Sequence, residues 1–143
     1  MAPVHRVTMF KLPDTSAQQK LIDAYTTLLK DQKKPPTHAT YLSSLRGVSF
    51  PSIIPTYTQS LTKNIQDGKP YIVHMTAGEV MEDPRSQGWT VVSKAEFASL
   101  EDMRYYDEQC EAHAALKNYA KGLGIQGGPS GVMTVYYEAG ASL

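Results

Sequence analysis

Residues 103–114 contain the side chains best suited to chemistry in this chain. Met103, Tyr106, Cys110, His113 and Ala114 recur at separations of three, four and one. At helical pitch this gathers them on one face, so His113 points inward with the apolar residues. An imidazole titrates near neutrality, so it can take a proton from a carbon acid or a phenol and later return it. The competing role for such a histidine is packing, with its ring bonded to a backbone carbonyl. Cys110, three residues before His113, raises a thiolate–imidazole pair, but a lone inward cysteine more often serves as a small buried hydrophobe. Tyr25 and Tyr106 could each donate a hydrogen bond to a developing enolate oxygen. With nine tyrosines in the chain, packing has the slightly stronger claim on either. His5, His38, His74 and His113 show none of the close spacings of metal-ligand pairs. No metal or other cofactor is expected, and His74 is left as a weak candidate for lining a cavity.

Two elements must position His113. Trp89 to Phe97 alternates with period two, setting Trp89, Val91, Ser93, Ala95 and Phe97 on one side. Ser99 then opens a Ser-Leu-Glu-Asp segment, an N-cap with acids in the first turn of the helix that carries His113. Upstream, Val4 to Leu12 reads as a strand. If its inner face is His5, Val7 and Met9, then His5 looks toward the helices as His113 does. A helix over about 16–33, with Leu21, Ile22, Tyr25, Leu28 and Leu29 as its apolar stripe, stops before Pro35-Pro36. Thr40 to Phe50 reads as a second strand, and Tyr71 to Met75 as an extra strand or lid segment. The glycine-rich stretch 122–131 lacks the spacing of a phosphate cradle and precedes a strand, so it reads as a flexible connection to the last strand, Val132 to Glu138.

With an irregular insertion at about 51–88 set aside, the order β-α-β-β-α-β predicts an α+β, ferredoxin-like single domain over 1–143: an antiparallel sheet with two helices on one face. Val92, Phe10 and Leu12 are assigned to the uncovered face, which implies a second subunit and hence a homodimer.

Composition narrows the function. Lys and Arg total 14, as do Asp and Glu, so no net field draws nucleic acid or an anionic membrane. A single cysteine excludes an internal disulfide. No apolar run is long enough to span a bilayer, and MAPVHRVTMF lacks the regions of a signal peptide. The expectation is a cytoplasmic protein whose partner, apart from itself, is small.

In HRVTMFKL, AQQKLIDAYTTLL and GWTVVSKAEFASLEDMRYYDEQCEAHAALK, taken in order, the chain resembles the dimeric α+β barrel proteins, in particular the stress-responsive A/B barrel group of plants and fungi, which includes a plant polyketide cyclase. The resemblance implies a general base at His113, assisted by a tyrosine at Tyr25 or Tyr106 and by the strand histidine His5. It implies a cofactor-independent aldol- or Claisen-type cyclisation, or a related proton transfer, on a small hydrophobic or aromatic carbonyl compound. Two departures stand out. The family's His-Pro-x-His segment reads Cys110-Glu111-Ala112-His113, and a family tyrosine falls on Asp107, one position after Tyr106. Two other activities fit the same group: a non-catalytic, stress-associated ligand-binding dimer, and a haem-handling or oxygenase-type relative.

Overall fold

The computed structural model describes residues 2–34 and 70–142. The chain divides into two compact units, residues 1–32 with 71–143 and residues 33–70. The first holds every element described below. Its order is β1 (Val4–Phe10), α1 (Thr15–Asp31), β2 (Ile72–Glu79), β3 (Val91–Phe97), α2 (Leu100–Glu108), α3 (Glu111–Lys121) and β4 (Val132–Glu138). The strands form one antiparallel sheet in the order β2-β3-β1-β4. This is the ferredoxin-like α+β arrangement.

The second strand of that sheet is Ile72–Glu79. It pairs with β3 from Ile72↔Phe97 to Glu79↔Val91, with an irregularity between Ile72 and His74. The segment treated as part of an insertion is therefore integral to the sheet, and the strand expected at Thr40–Phe50 lies outside the described residues. A buried glutamine fixes where β2 starts. Gln32, the C-cap of α1, accepts the Tyr71 and Ile72 N–H groups on its Oε1 at 3.0 and 3.3 Å.

The N-cap expected at Ser99 is present, and Asp14 supplies a second one for α1. Asp14 Oδ1 accepts the Ser16 N–H at 3.1 Å, and Ser99 Oγ accepts the Asp102 N–H at 3.2 Å. Each satisfies an N–H that has no partner inside its helix. On α1 the buried stripe is Ala17, Gln18, Leu21, Tyr25 and Leu28, while Leu29 turns outward.

The core lies between the sheet and the helices. β3 contributes Val91, Ser93, Ala95 and Phe97, the side expected from alternation. β1 contributes Val4, Arg6, Thr8 and Phe10, followed by Leu12. Phe10 and Leu12 thus belong to the core, against the expectation that placed them on the bare face. Their volume decides which face of the strand is covered, since each buried large apolar side chain contributes about 1.5–3 kcal/mol. The uncovered face carries His5, Val7 and Met9 of β1 beside Val92, Lys94 and Glu96 of β3. Met133, Val135 and Tyr137 of β4 continue it and are 42, 51 and 45 % exposed.

The glycine-rich stretch is held and not loose. Lys11 accepts the Gln126 N–H and donates to the Gly131 carbonyl, both at 2.8 Å. A Cβ at Gly131 would run into the Gln126 carbonyl and the Ile125 side chain, so the close approach requires glycine. Among the described residues, no helix is long and apolar enough to cross a membrane.

Candidate functional site

The helix carrying His113 is broken, and the break creates the site. α2 ends at Glu108 and α3 begins at Glu111, with Cys110 extended at φ −69°, ψ 114°. In an unbroken helix the Cys110 N–H would bond to the Tyr106 carbonyl four residues back. Here it bonds to the Tyr105 carbonyl at 2.9 Å, leaving the Tyr106 oxygen for a side chain. His113 Nδ1 takes that position at 2.7 Å. Lys117 Nζ takes the next carbonyl, that of Asp107, at 2.9 Å.

The hydrogen bond fixes the imidazole's tautomer. A carbonyl oxygen only accepts, so Nδ1 carries the proton and Nε2 of the neutral ring keeps its lone pair. His113 is 3 % exposed, and its ring stacks on that of Tyr106 at 3.7 Å between centroids. Burial pushes its pKa down to about 4, with the charges of Arg6 and Lys117 adding to the fall. The Tyr106 carbonyl and the Asp107 carboxylate act the other way. The imidazole is therefore neutral at pH 7, and its 3.9 Å approach to Asp107 Oδ1 is no ion pair.

His113 borders a cavity of about 230 Å³ between the sheet, α1 and α3. Tyr25 enters it from α1, Arg6 and Thr8 from β1, and Thr134 from β4. Tyr25 is buried, and its hydroxyl oxygen accepts the Ser93 hydroxyl at 3.0 Å, so its own proton is free for a ligand. Burial pushes the Tyr25 phenol up, and Ser93 and then Arg6 oppose this. Tyr25 is therefore a neutral phenol with a proton to donate.

The other expected residues fall elsewhere. His5 does not share the cavity. It lies on the opposite face of the sheet, 5.2 Å from the Tyr137 ring and 4.0 Å from Glu96, because period-two alternation sends it away from Arg6 and Thr8. His74 is exposed on that same outer face, paired in register with Glu96. Tyr106 stands behind His113 and does not line the cavity. Its hydroxyl is buried without a hydrogen-bond partner among the described residues. Cys110 is a buried packing residue at the N-cap of α3. Ala114, expected beside His113, is exposed, because one step at helical pitch turns it about 100° away from the buried row of His113, Leu116 and Ala120. His38 lies outside the described residues.

Sequence reasoning missed Arg6, an 8 % exposed arginine whose Nη2 donates to Asp107 Oδ1 at 2.7 Å and whose Nη1 donates to Thr8 Oγ1 at 2.6 Å. The signal available was its place between Val4 and Thr8 on the strand face that ends in Phe10 and Leu12.

Comparison with known proteins gives a consistent picture. Residues 4–123 match the model of the Stress responsive A/B Barrel Domain family. A protein of Gibberella zeae described as a fusaristatin A biosynthesis cluster protein is 32 % identical over 97 % of this chain and 75 % of its own length. A dimeric ferredoxin-like protein of unknown function from Jannaschia sp. CCS1 superposes with a TM-score of 0.57 at 12 % identity, covering 96 % of this chain and 99 % of the other. The hydroxynitrile lyase of Passiflora edulis gives 0.58 at 9 % identity, covering 99 and 97 %. At such identities the two structures show a shared fold.

Proposed function

This chain belongs to the stress responsive A/B barrel domain family, and from that premise we propose that it is a small enzyme of aromatic or polyketide natural-product metabolism. The reaction is an intramolecular aldol- or Claisen-type cyclisation, or a related proton transfer, and it needs no cofactor. His113 Nε2 removes a proton alpha to a carbonyl, and the Tyr25 hydroxyl donates to the enolate oxygen that forms. The enolate carbon attacks a second carbonyl of the same molecule. In the aldol case the resulting alkoxide recovers the proton from the imidazolium. In the Claisen case it collapses to a ketone and expels the ester or thioester leaving group, which takes that proton, so either step is redox-neutral. His5 has no part in this scheme, and Tyr106 serves by stacking on the base.

One observation carries this reading: the Nδ1–H···O bond to the Tyr106 carbonyl, which leaves Nε2 as the basic nitrogen of a ring bordering a cavity. The relative in a biosynthesis cluster supports the metabolic setting. At about 230 Å³ the cavity is smaller than the roughly 300–1,000 Å³ of drug-sized sites, which favours a one-ring product over a fused polycycle. The bare, apolar-rich face of the sheet supports a homodimer formed face to face.

The test is solvent deuterium exchange at the alpha carbon of a simple β-diketone, followed by mass spectrometry. The wild-type protein should accelerate exchange, and His113→Ala should lower the rate about 100-fold or more. Equal exchange in the two proteins would sink the proposal. A second reading, a ligand-binding dimer without turnover, is favoured by the low basicity of His113. It predicts binding with no exchange.

A further inference from the structure

The charge around the cavity is not that of the whole chain. Fourteen basic and fourteen acidic residues cancel overall. At the cavity, Arg6, Lys117 and Lys121 are lining residues, and no carboxylate is among the described lining residues. Asp107 neutralises one of the three through Arg6 at 2.7 Å, so three cations less one carboxylate leave a surplus of two. His113, being neutral, adds nothing to it.

Arg6 is unusual in its own right. Its guanidinium is held by Asp107 and Thr8 and lies 5.2 Å from the centre of the Tyr106 ring, yet its Nε is buried with no partner among the described residues. A guanidinium has five N–H donors, and the two bonds to protein use only part of that capacity. Beside it, the Thr8 and Thr134 hydroxyls lie 3.1 Å apart and border the same cavity. Burying a charge is costly unless its capacity is used. Lys117 gives one of its three N–H donors to the Asp107 carbonyl, and the two hydroxyls bond each other. The pair with Asp107 accounts for neither the remaining donors of Lys117 nor the charge of Lys121 beside the cavity.

We propose that the cavity takes its ligand as a carboxylate: a one-ring aromatic or β-keto acid whose carboxylate meets Arg6, Thr8 and Thr134, with Lys117 and Lys121 at the mouth. The proposal deepens the enzymatic reading and rests on the same cavity. It also supplies what that reading lacks. Arg6 and Lys117 are among the groups that depress the basicity of His113, and an anion bound between them offsets their charge. The base would thus strengthen only when substrate is present.

The experiment compares 2,4-dihydroxybenzoate with its methyl ester by isothermal titration calorimetry at neutral pH on the full chain. The acid should bind about ten-fold tighter or more, the scale of one charge-assisted contact. Arg6→Gln should remove that preference, weakening the acid by more than it weakens the ester. Because Arg6→Gln strips Asp107 of its partner and could unfold the chain, Lys117→Gln and Lys121→Gln at the exposed mouth provide a second arm. Each should reduce the acid's affinity, most clearly at low salt. NMR of the His113 ring should show its pKa rising when the acid binds. Equal binding of acid and ester, failure of the acid to bind, or a preference that survives in all three variants would overturn the proposal. Acid preference without alpha-proton exchange would uphold it and remove the enzymatic reading, and exchange without acid preference would do the reverse.

Discussion

A histidine with a folded pKa near 4 couples proton binding to stability. An unfolded histidine titrates near 6.5, so between these values the unfolded chain holds a proton that the folded one refuses. The stability this provides is complete above about pH 6.5 and is lost as the pH falls toward 4. The shift corresponds to roughly 3 kcal/mol. His113→Gln should therefore flatten the acid limb of stability, measured by urea unfolding at neutral and mildly acidic pH. An unchanged pH slope in the variant would refute the assignment. The inward placement of His113 was legible from spacing alone. The side taken by His5 was not, because alternation defines two faces and does not say which is covered. The bulk of Phe10 and Leu12 settles that, and it brings Arg6 in with them.

At the scale of elements, the break between α2 and α3 is the feature that periodicity concealed. No glycine or proline marks Glu108-Gln109-Cys110-Glu111, and the spacing from Met103 to His113 fits one helix almost as well as two. The trace was in the family's His-Pro-x-His segment, whose proline falls on Glu111, the first residue of α3. Proline is favoured there because the N–H it lacks has no helical partner. Cys110 already has the extended backbone that precedes proline. Glu111→Pro should accordingly leave stability within about 0.5 kcal/mol, whereas Ala115→Pro inside α3 should cost about 3 kcal/mol. Thermal unfolding of the two variants checks this, and equal damage from both would mean that the helices are continuous. The strand at Ile72–Glu79 was legible only in part, from Tyr71 to Met75 and as an extra strand or a lid segment, for another reason. Its burial is confined largely to Met75, so an edge strand with one apolar anchor gives little alternation to detect.

For the molecule as a whole, the ferredoxin-like class followed from the sequence, although the second strand of the sheet comes from the segment set aside as an insertion. The composition of the bare face needed the register. Met133, Val135 and Tyr137 continue the row begun by Val7 and Met9. The proposed homodimer would bury these side chains against their copies. Val135→Lys places a charge in that layer and should convert a sedimenting dimer to a monomer with unchanged circular dichroism. A variant that remains dimeric would move the interface elsewhere.

Gln32 has a consequence of another kind. By accepting the N–H groups of both Tyr71 and Ile72, it ties together the points where the chain leaves the barrel half at residue 32 and returns at residue 71. The body thus has a closed neck, and closing a flexible loop costs only about 0.6 kcal/mol more for each doubling of its length. Whatever is spliced between those points, long or short, is nearly free of cost to the sheet. This is the position at which such a chain can acquire or lose residues while the framework of sheet and helices stays intact.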